Sequence, residues 1–330
     1  MSTTPAGGTT PAGSTISAGS AASTGVLKIA TRKSPLALWQ AEHVATLLRG
    51  AHEGLRVELL PMSTQGDRIL DRSLAAIGGK GLFIKELEVA LAERRADIAV
   101  HSMKDVPAEM PQGFVIAALL ERADPRDALL CRSGTAITEL PAGARLGTSS
   151  LRRTAQILAA RPDLRIEPLR GNVGTRLGRL ESGELDAMVL ACAGLARLGL
   201  ESRISARLDP AAMLPAVGQG AIGIECRDDD AHTRALLRAL DDAATRTALA
   251  AERSFARALG GSCQSPIAAL ACIEGDRMTL TGLVAEPDGS RLLRAGTSGA
   301  SARAEQLGEE LAQRLLESGA RELLERLRTA

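Results

Sequence analysis

Val26-Leu27-Lys28-Ile29-Ala30-Thr31-Arg32-Lys33-Ser34-Pro35-Leu36-Ala37 is the stretch that decides the class of the fold. Residues 26–31 read as a short strand. Pro35, with its preset φ, suits the first turn of a helix. Ala37, Ala41, Val44 and Leu48 then recur at helical spacing, and Leu55, Val57 and Leu59 alternate as a strand does. Strand, helix, strand in that order is the building unit of an α/β sheet.

The pattern extends outward from there. Residues 82–94 read as a helix, Ile98-Ala99-Val100 as a buried strand and residues 114–119 as another strand. A second α/β region begins near Asp124, with strands at 128–131, 145–148 and 187–190 and a helix from Leu151 to Ala160. Residues 210–223 are rich in Pro and Gly and read as a crossing segment. From about residue 241 the pattern changes. A helix with Phe255 and Leu259 on one face ends in Gly260-Gly261. A hairpin follows, with Met278, Leu280 and Val284 in one strand and Pro287-Asp288-Gly289 as its turn. An amphipathic stretch with Leu307, Leu311 and Leu315 in phase closes the chain, broken at Gly319. No internal repeat of fixed period stands out.

Composition narrows the function. The chain has 330 residues, enough for two or three domains, and a hydrophobic fraction of 45% suits globular cores. It holds one Trp, three Phe and no Tyr, so platforms for stacking single-stranded nucleic acid are not expected. A net charge of +1, from 40 basic and 39 acidic residues, is too even for binding nucleic acid by bulk charge. The five cysteines (Cys131, Cys192, Cys226, Cys263 and Cys272) are odd in number and have no C-x-x-C spacing, which argues against a disulfide framework and a zinc site. No apolar run reaches the ~18 residues of a membrane span. Apart from Met1 and Ile16, residues 1–24 are Ser, Thr, Ala, Gly and Pro without a charged side chain, unlike a secretory or mitochondrial leader. They read as a disordered tail, and the chain as cytoplasmic.

The chemistry lies in cations at loops and helix starts. Arg32 and Ser34 follow the first strand, Lys104 and Asp105 follow the strand ending at His101, and Arg152 and Arg153 sit in the first turn of a helix. Arg170 and Arg176 bracket Gly171-Asn172-Val173-Gly174-Thr175. Ligands of α/β sheets bind beyond the carboxyl ends of the strands. Cations in a first turn oppose the helix dipole, so Arg152 and Arg153 are easier to explain if an external anion joins them. The plainer alternative is a solvated basic face or ion pairs with nearby acids. For Asp105 the local alternatives are a surface pair with Lys104 or a helix cap on one side, and a carboxylate that stabilises a cation or handles a proton on the other. Cys263, in Gly260-Gly261-Ser262-Cys263-Gln264-Ser265-Pro266, is either a nucleophilic thiol presented to a cleft or a small buried residue. Gly218-Gln219-Gly220-Ala221-Ile222-Gly223 fits G-x-G-x-x-G but lacks a strand before it and a helix opening within it, so a dinucleotide site is not expected. Gly78-Gly79-Lys80-Gly81 has no Ser or Thr after its Lys and is no P-loop.

Several segments together resemble the porphobilinogen deaminase (hydroxymethylbilane synthase) family from about Val26 to the C-terminus. They are Ala30 to Ala37, Gly78 to Glu86, His101-Ser102-Met103-Lys104-Asp105, Gly147-Thr148-Ser149-Ser150-Leu151-Arg152-Arg153, Arg170 to Arg176, Leu214-Pro215-Ala216-Val217-Gly218-Gln219-Gly220, and Glu252-Arg253 leading to Cys263. Ser262 and Ser265 depart from the pattern, standing where Gly and a small apolar residue are usual.

The resemblance implies an α/β fold of three domains. The first two are periplasmic-binding-protein-like (type II) with doubly wound mixed sheets, at residues 25–120 plus 221–240 and residues 121–220. The third is a small α+β domain at 241–330. It implies a dipyrromethane cofactor on Cys263 through a thioether, made from the substrate, with no metal. It implies a transferase that joins four porphobilinogen molecules head to tail with loss of ammonia, through an electrophilic azafulvene, and releases hydroxymethylbilane by hydrolysis. Asp105 is then the catalytic carboxylate. Lys104, Arg152 and Arg153, with Ser34, Thr148, Ser149 and Gln219, hold the cofactor. Arg32, Arg170 and Arg176 hold the substrate's acetate and propionate, with Arg197 and Lys80 as further candidates. The loop near residues 66–81 is expected to act as a lid, and the protein to be a monomer. A non-catalytic periplasmic-type module for a carboxylated ligand is the rival reading; it leaves Asp105 and the cysteine loop without a role. A regulatory anion sensor would need a DNA-binding helix pair, and none is evident.

Overall fold

The structure is a computed structural model that describes residues 1–2, 26–64, 66, 84–134, 136–261 and 265–329. The tail read at residues 1–24 falls almost wholly outside the described residues, as do Lys80, Cys263 and, Gly66 apart, the loop at 66–81.

The first sheet region comprises β1 (Val26–Arg32), α1 (Pro35–Ala51), β2 (Arg56–Met62), α2 (Lys85–Ala92), β3 (Ile98–Ser102) and β4 (Phe114–Leu119). The second comprises β5 (Asp127–Cys131), β6 (Arg145–Gly147), α3 (Leu151–Ala160), β7 (Arg165–Glu167), α4 (Val173–Glu181), β8 (Ala187–Ala191), α5 (Cys192–Arg197) and β9 (Ala206–Arg207). The chain returns through β10 (Ile222–Arg227) and α6 (Ala231–Leu237). It ends with α7 (Ala243–Ala258), β11 (Ile267–Glu274), β12 (Arg277–Ala285), β13 (Leu292–Ala300), α8 (Ala304–Leu315) and α9 (Arg321–Thr329).

Two five-stranded mixed sheets share one plan. The first has the order β2-β1-β3-β10-β4 and the second β7-β6-β8-β5-β9. In each, three parallel strands are followed by one antiparallel to its neighbours. That fourth strand is the first one formed after the chain crosses from the other sheet. The crossings are residues 120–126 and 208–221, so the second sheet is built from one continuous stretch and the first is completed only when the chain returns from it. The likeness of the two regions is one of topology, with no sequence period behind it.

Burial on both faces explains the apolar runs that mark these strands. Leu129 faces a core with Leu146, Ile157 and Val189, while Leu130 faces the opposite core with Leu177, Leu180 and Met188. In the first sheet Ile29, Ile98, Val100 and Ile224 pack against Val44 and Leu48 of α1, and Ala30 and Ala99 pack against Leu87 and Leu91 of α2. The expected 82–94 helix is realised as α2.

The third sheet is an antiparallel meander, β11-β12-β13, covered on one face by α7 and α8. Phe255 is fully buried there among Met278, Leu280, Leu307 and Leu311. Gly282 makes room for its ring, since a Cβ at that position would stand 2.5 Å from it. The other face meets the second region through Ala155, Leu214, Leu270 and Leu283. The hairpin turn at Pro287-Asp288-Gly289 forms as expected, and the helix break falls at Gly319, with φ +105°.

Candidate active site

The site residues gather at the carboxyl ends of the two mixed sheets, and local sequence explains each placement. Arg32 is the last residue of β1, and Ser34 caps α1, its Oγ accepting from the Ala37 N–H at 3.4 Å. β3 runs directly into a 3-10 turn, Met103–Asp105, which sets Lys104 and Asp105 half-buried at the strand exit. In the second sheet, Gly147 ends β6 and Thr148-Ser149-Ser150 leads into α3. Thr148 is buried with its Oγ1 accepting from the Ser150 N–H at 3.2 Å. Ser149 Oγ donates to the Leu169 carbonyl and accepts from the Leu169 N–H. Asn172 caps α4, and the Arg176 Nε donates to the Gly171 carbonyl at 2.8 Å.

Arg152 and Arg153 have an anion within the chain. Arg152 Nη1 donates to Asp127 Oδ2 at 2.7 Å, and Arg153 Nη2 and Nε donate to Asp127 Oδ1 at 2.7 and 3.1 Å. Gln219 Nε2 adds a donor to the same Oδ1 at 2.9 Å. Burial alone would raise the Asp127 pKa, but the two guanidiniums outweigh it and hold the carboxyl far below the usual range. Asp127 at the start of β5 therefore supplies the counter-charge that the first-turn arginines require. The sequence reading missed it, because the pairing depends on β5 lying beside β8 rather than on any spacing along the chain.

The two regions meet electrostatically. Burial pushes the Lys104 ammonium down to about 8; Asp105 opposes that shift, while Arg153 adds to it. Arg176 is pushed down to about 10, first by burial and then by Arg153, Arg170 and Arg32, with Asp105 again opposing. Arg32, Lys104 and Asp105 from the first sheet thus lie within range of Arg153, Arg170 and Arg176 from the second. Two carboxylates, Asp105 and the arginine-paired Asp127, stand among cations drawn from both sheets.

Arg197 is engaged differently. Its Nη2 donates to the Gly220 carbonyl at 2.6 Å, and its guanidinium lies 5.9 Å from the centre of the Trp39 ring on α1. Burial lowers its pKa to about 10, and it bridges the two regions near a crossing. Gly218 to Gly223 runs through a turn into β10 and opens no helix, as its sequence context indicated.

The donor set fits a dipyrromethane. Its acetate and propionate groups are carboxylates, and Lys104 makes no hydrogen bond to any described residue while lying half-buried beside the arginines. Its pyrrole nitrogens are N–H donors. They suit Asp105 and Gln219, the latter's Oε1 being buried without a partner among the described residues.

Known proteins resemble this chain over most of its length. The family model "Porphobilinogen deaminase, dipyromethane cofactor binding domain" matches residues 27–235, and "Porphobilinogen deaminase, C-terminal domain" matches residues 247–317. The porphobilinogen deaminase of Xanthomonas axonopodis pv. citri (strain 306) is 58% identical over 301 residues, covering 91% of this chain and 99% of that one. That of Xanthomonas oryzae pv. oryzae (strain PXO99A) is 58% identical over 298 residues, covering 90% and 98%. Among solved structures, the VFT2 domain of Bordetella pertussis BvgS is similar at 16% identity and a TM-score of 0.42, over 69% of this chain and 92% of that one. A periplasmic substrate-binding protein from Coxiella burnetii is similar at 17% identity and a TM-score of 0.42, over 67% and 94%. With both family models in register along one chain and these relatives aligned over nearly their full length, the chain belongs to the porphobilinogen deaminase family.

Proposed function

We propose that this chain condenses four porphobilinogen molecules head to tail with loss of ammonia and releases hydroxymethylbilane. The observation that supports the reading most is the Asp105 carboxylate, gathered with cations from both sheets: Lys104, Arg32, Arg153, Arg170 and Arg176. A substrate bearing an acetate and a propionate brings two negative charges per unit, so a growing chain needs several cations in one place. A cation that forms on loss of ammonia needs a carboxylate at its side.

The roles are those that the family resemblance implies. Asp105 lies near the pyrrole nitrogens and stabilises positive charge as it develops. Lys104, Arg152 and Arg153, with Ser34, Thr148, Ser149 and Gln219, hold the cofactor's side chains and ring nitrogens, and Arg32, Arg170 and Arg176 hold the incoming substrate; Lys80, outside the described residues, is a further candidate, while Arg197 is engaged by Trp39 and the Gly220 carbonyl. Arg152 is tied to Asp127 and to the Leu214 carbonyl, so its part is chiefly to shape the site through that carboxylate. Covalently bound through Cys263, the dipyrromethane supplies a nucleophilic pyrrole carbon as primer.

The two mixed sheets, each with its own cores, and the separate core of the third support a division at residues 25–120 plus 221–240, 121–220 and 241–330. Among the described residues no helix is long and apolar enough to cross a membrane. Cytoplasmic location, a monomeric state and no contact with nucleic acid or membrane complete the reading, in keeping with the even charge of the chain.

The stoichiometry of turnover tests the reading. Purified protein is expected to release one hydroxymethylbilane for every four porphobilinogen consumed. Asp105→Asn, close in size and neutral, is expected to lower kcat by about 100-fold or more, in line with the loss of one strong electrostatic stabiliser. Wild-type kcat in the Asn variant would remove Asp105 from the chemistry.

A further inference from the structure

Glu252, on α7, is fully buried, and each of its carboxylate oxygens accepts two hydrogen bonds. Oε1 takes Arg122 Nη1 at 2.6 Å and the Ala271 N–H at 2.9 Å; Oε2 takes Arg122 Nη2 at 3.2 Å and the Gly218 N–H at 2.8 Å. These donors come from three places: Arg122 from the first crossing, Gly218 from the second, and Ala271 from β11 of the third sheet. Arg122 also donates from Nε to the Gln219 carbonyl at 2.9 Å, so the two crossings are tied to each other as well.

The tie reaches both walls of the cleft. Gly218 has φ +70° and lies against the Met103–Lys104 backbone, where a Cβ would stand 2.9 Å from the Met103 Cβ and 3.4 Å from the Lys104 nitrogen. Its neighbour Gln219 reaches the opposite way, to Asp127, which holds Arg152 and Arg153. Arg253, next to Glu252, donates to the Pro107 and Ala108 carbonyls just beyond Asp105.

We infer that Glu252 is a positioning residue: from the third unit it fixes the Gly218-Gln219 turn, and through that turn it sets Lys104-Asp105 on one wall and Asp127 with its two arginines on the other. A buried ion pair is weak support for stability, because well-packed apolar side chains often serve as well, and is better understood as a device that selects one arrangement. This assignment rests on the proposed reaction only in what the two walls are for. The tie itself is a property of the folded chain.

Two variants and two readouts test it. Glu252→Gln keeps the shape but cannot accept from all four donors. Arg122→Lys keeps the charge and loses the bond from Nε to Gln219, and serves if the first variant does not fold. By amide hydrogen exchange, each is expected to speed exchange about tenfold in residues 216–221 and about threefold or more in residues 101–106 and 148–154, with β12 and β13 unchanged. In the loaded enzyme, kcat is expected to fall about tenfold or more at a temperature where each variant is fully folded. Faster exchange confined to 216–221 and 268–272, with both walls as in the wild type, would overturn the inference; so would wild-type kcat in a folded variant. A wild-type protein that does not turn over porphobilinogen would instead count against the proposed function, leaving the exchange result to decide the tie.

Discussion

Asp127 faces two guanidiniums and a carboxamide with two oxygens, and it is fully buried. Asp127→Asn leaves Arg152 and Arg153 as buried charges with no counter-charge at hand. Loss of one partner from such a group costs about 3–5 kcal/mol, to be read by urea denaturation near neutral pH. The carboxyl titrates lower in the folded protein than in the unfolded chain, so its contribution is fully present above pH 3.8 and is lost as the pH falls below it. The gap between wild type and variant is therefore expected to close on acidification; a gap that stays constant would show that the carboxylate charge is not what matters. Lys104 titrates in the opposite regime. Its ammonium, pushed down to about 8, loses its proton as the pH rises through that value. Binding of a dicarboxylic pyrrole is expected to weaken there, seen as a rise in KM. Lys104→Arg, charged throughout, is expected to flatten the rise between about pH 7 and 9. A persistent inflection in that variant would assign it to another group.

At the scale of elements, the alternation of strand and helix was legible because burial follows from local pattern. β1, α1 and β2 were readable from Ile29, Ala41, Val44, Leu48 and Val57, whose periods fix the faces they bury. The positions of β5 and β10 were not readable in that way. β5 is a short apolar run and β10 a mixed one, Ile222-Gly223-Ile224-Glu225-Cys226-Arg227, and nothing within either says that it inserts antiparallel between strands of a mixed sheet. Only the resemblance to a known family supplied the double crossing. The crossings also touch: Gly220 has φ +91°, and a Cβ there would stand 2.4 Å from the Ala123 carbonyl oxygen. Gly220→Ala therefore has neither the conformation nor the room it needs. A loss of about 1–3 kcal/mol is expected, measured by thermal unfolding. An unchanged midpoint would mean that the crossings separate without penalty.

For the whole molecule, the site was legible in part. Arginines at loop starts and the Lys-Asp pair after a strand were visible because residue type and position along the chain sufficed to suggest anion binding. That Arg153, Arg170 and Arg176 come within range of Lys104 and Asp105 depends on two sheets facing each other, which no local pattern encodes. Asp127 and Glu252 were missed for the same reason: each is an ordinary acidic residue until the fold brings distant donors to it. Arg197 shows the converse, a cation picked out by sequence that the fold sets against Trp39 and the Gly220 carbonyl. Cations from both sheets gathered near Asp105 suit the proposed growth of a polyanionic pyrrole chain from a primer on Cys263. The most direct test is the intact mass of the purified wild type beside Cys263→Ser. The account expects a mass excess of two linked pyrrole units in the wild type, present on isolation or after addition of porphobilinogen, and none in the variant. A wild type that stays unmodified with porphobilinogen present, or a variant that carries the same excess, would contradict it.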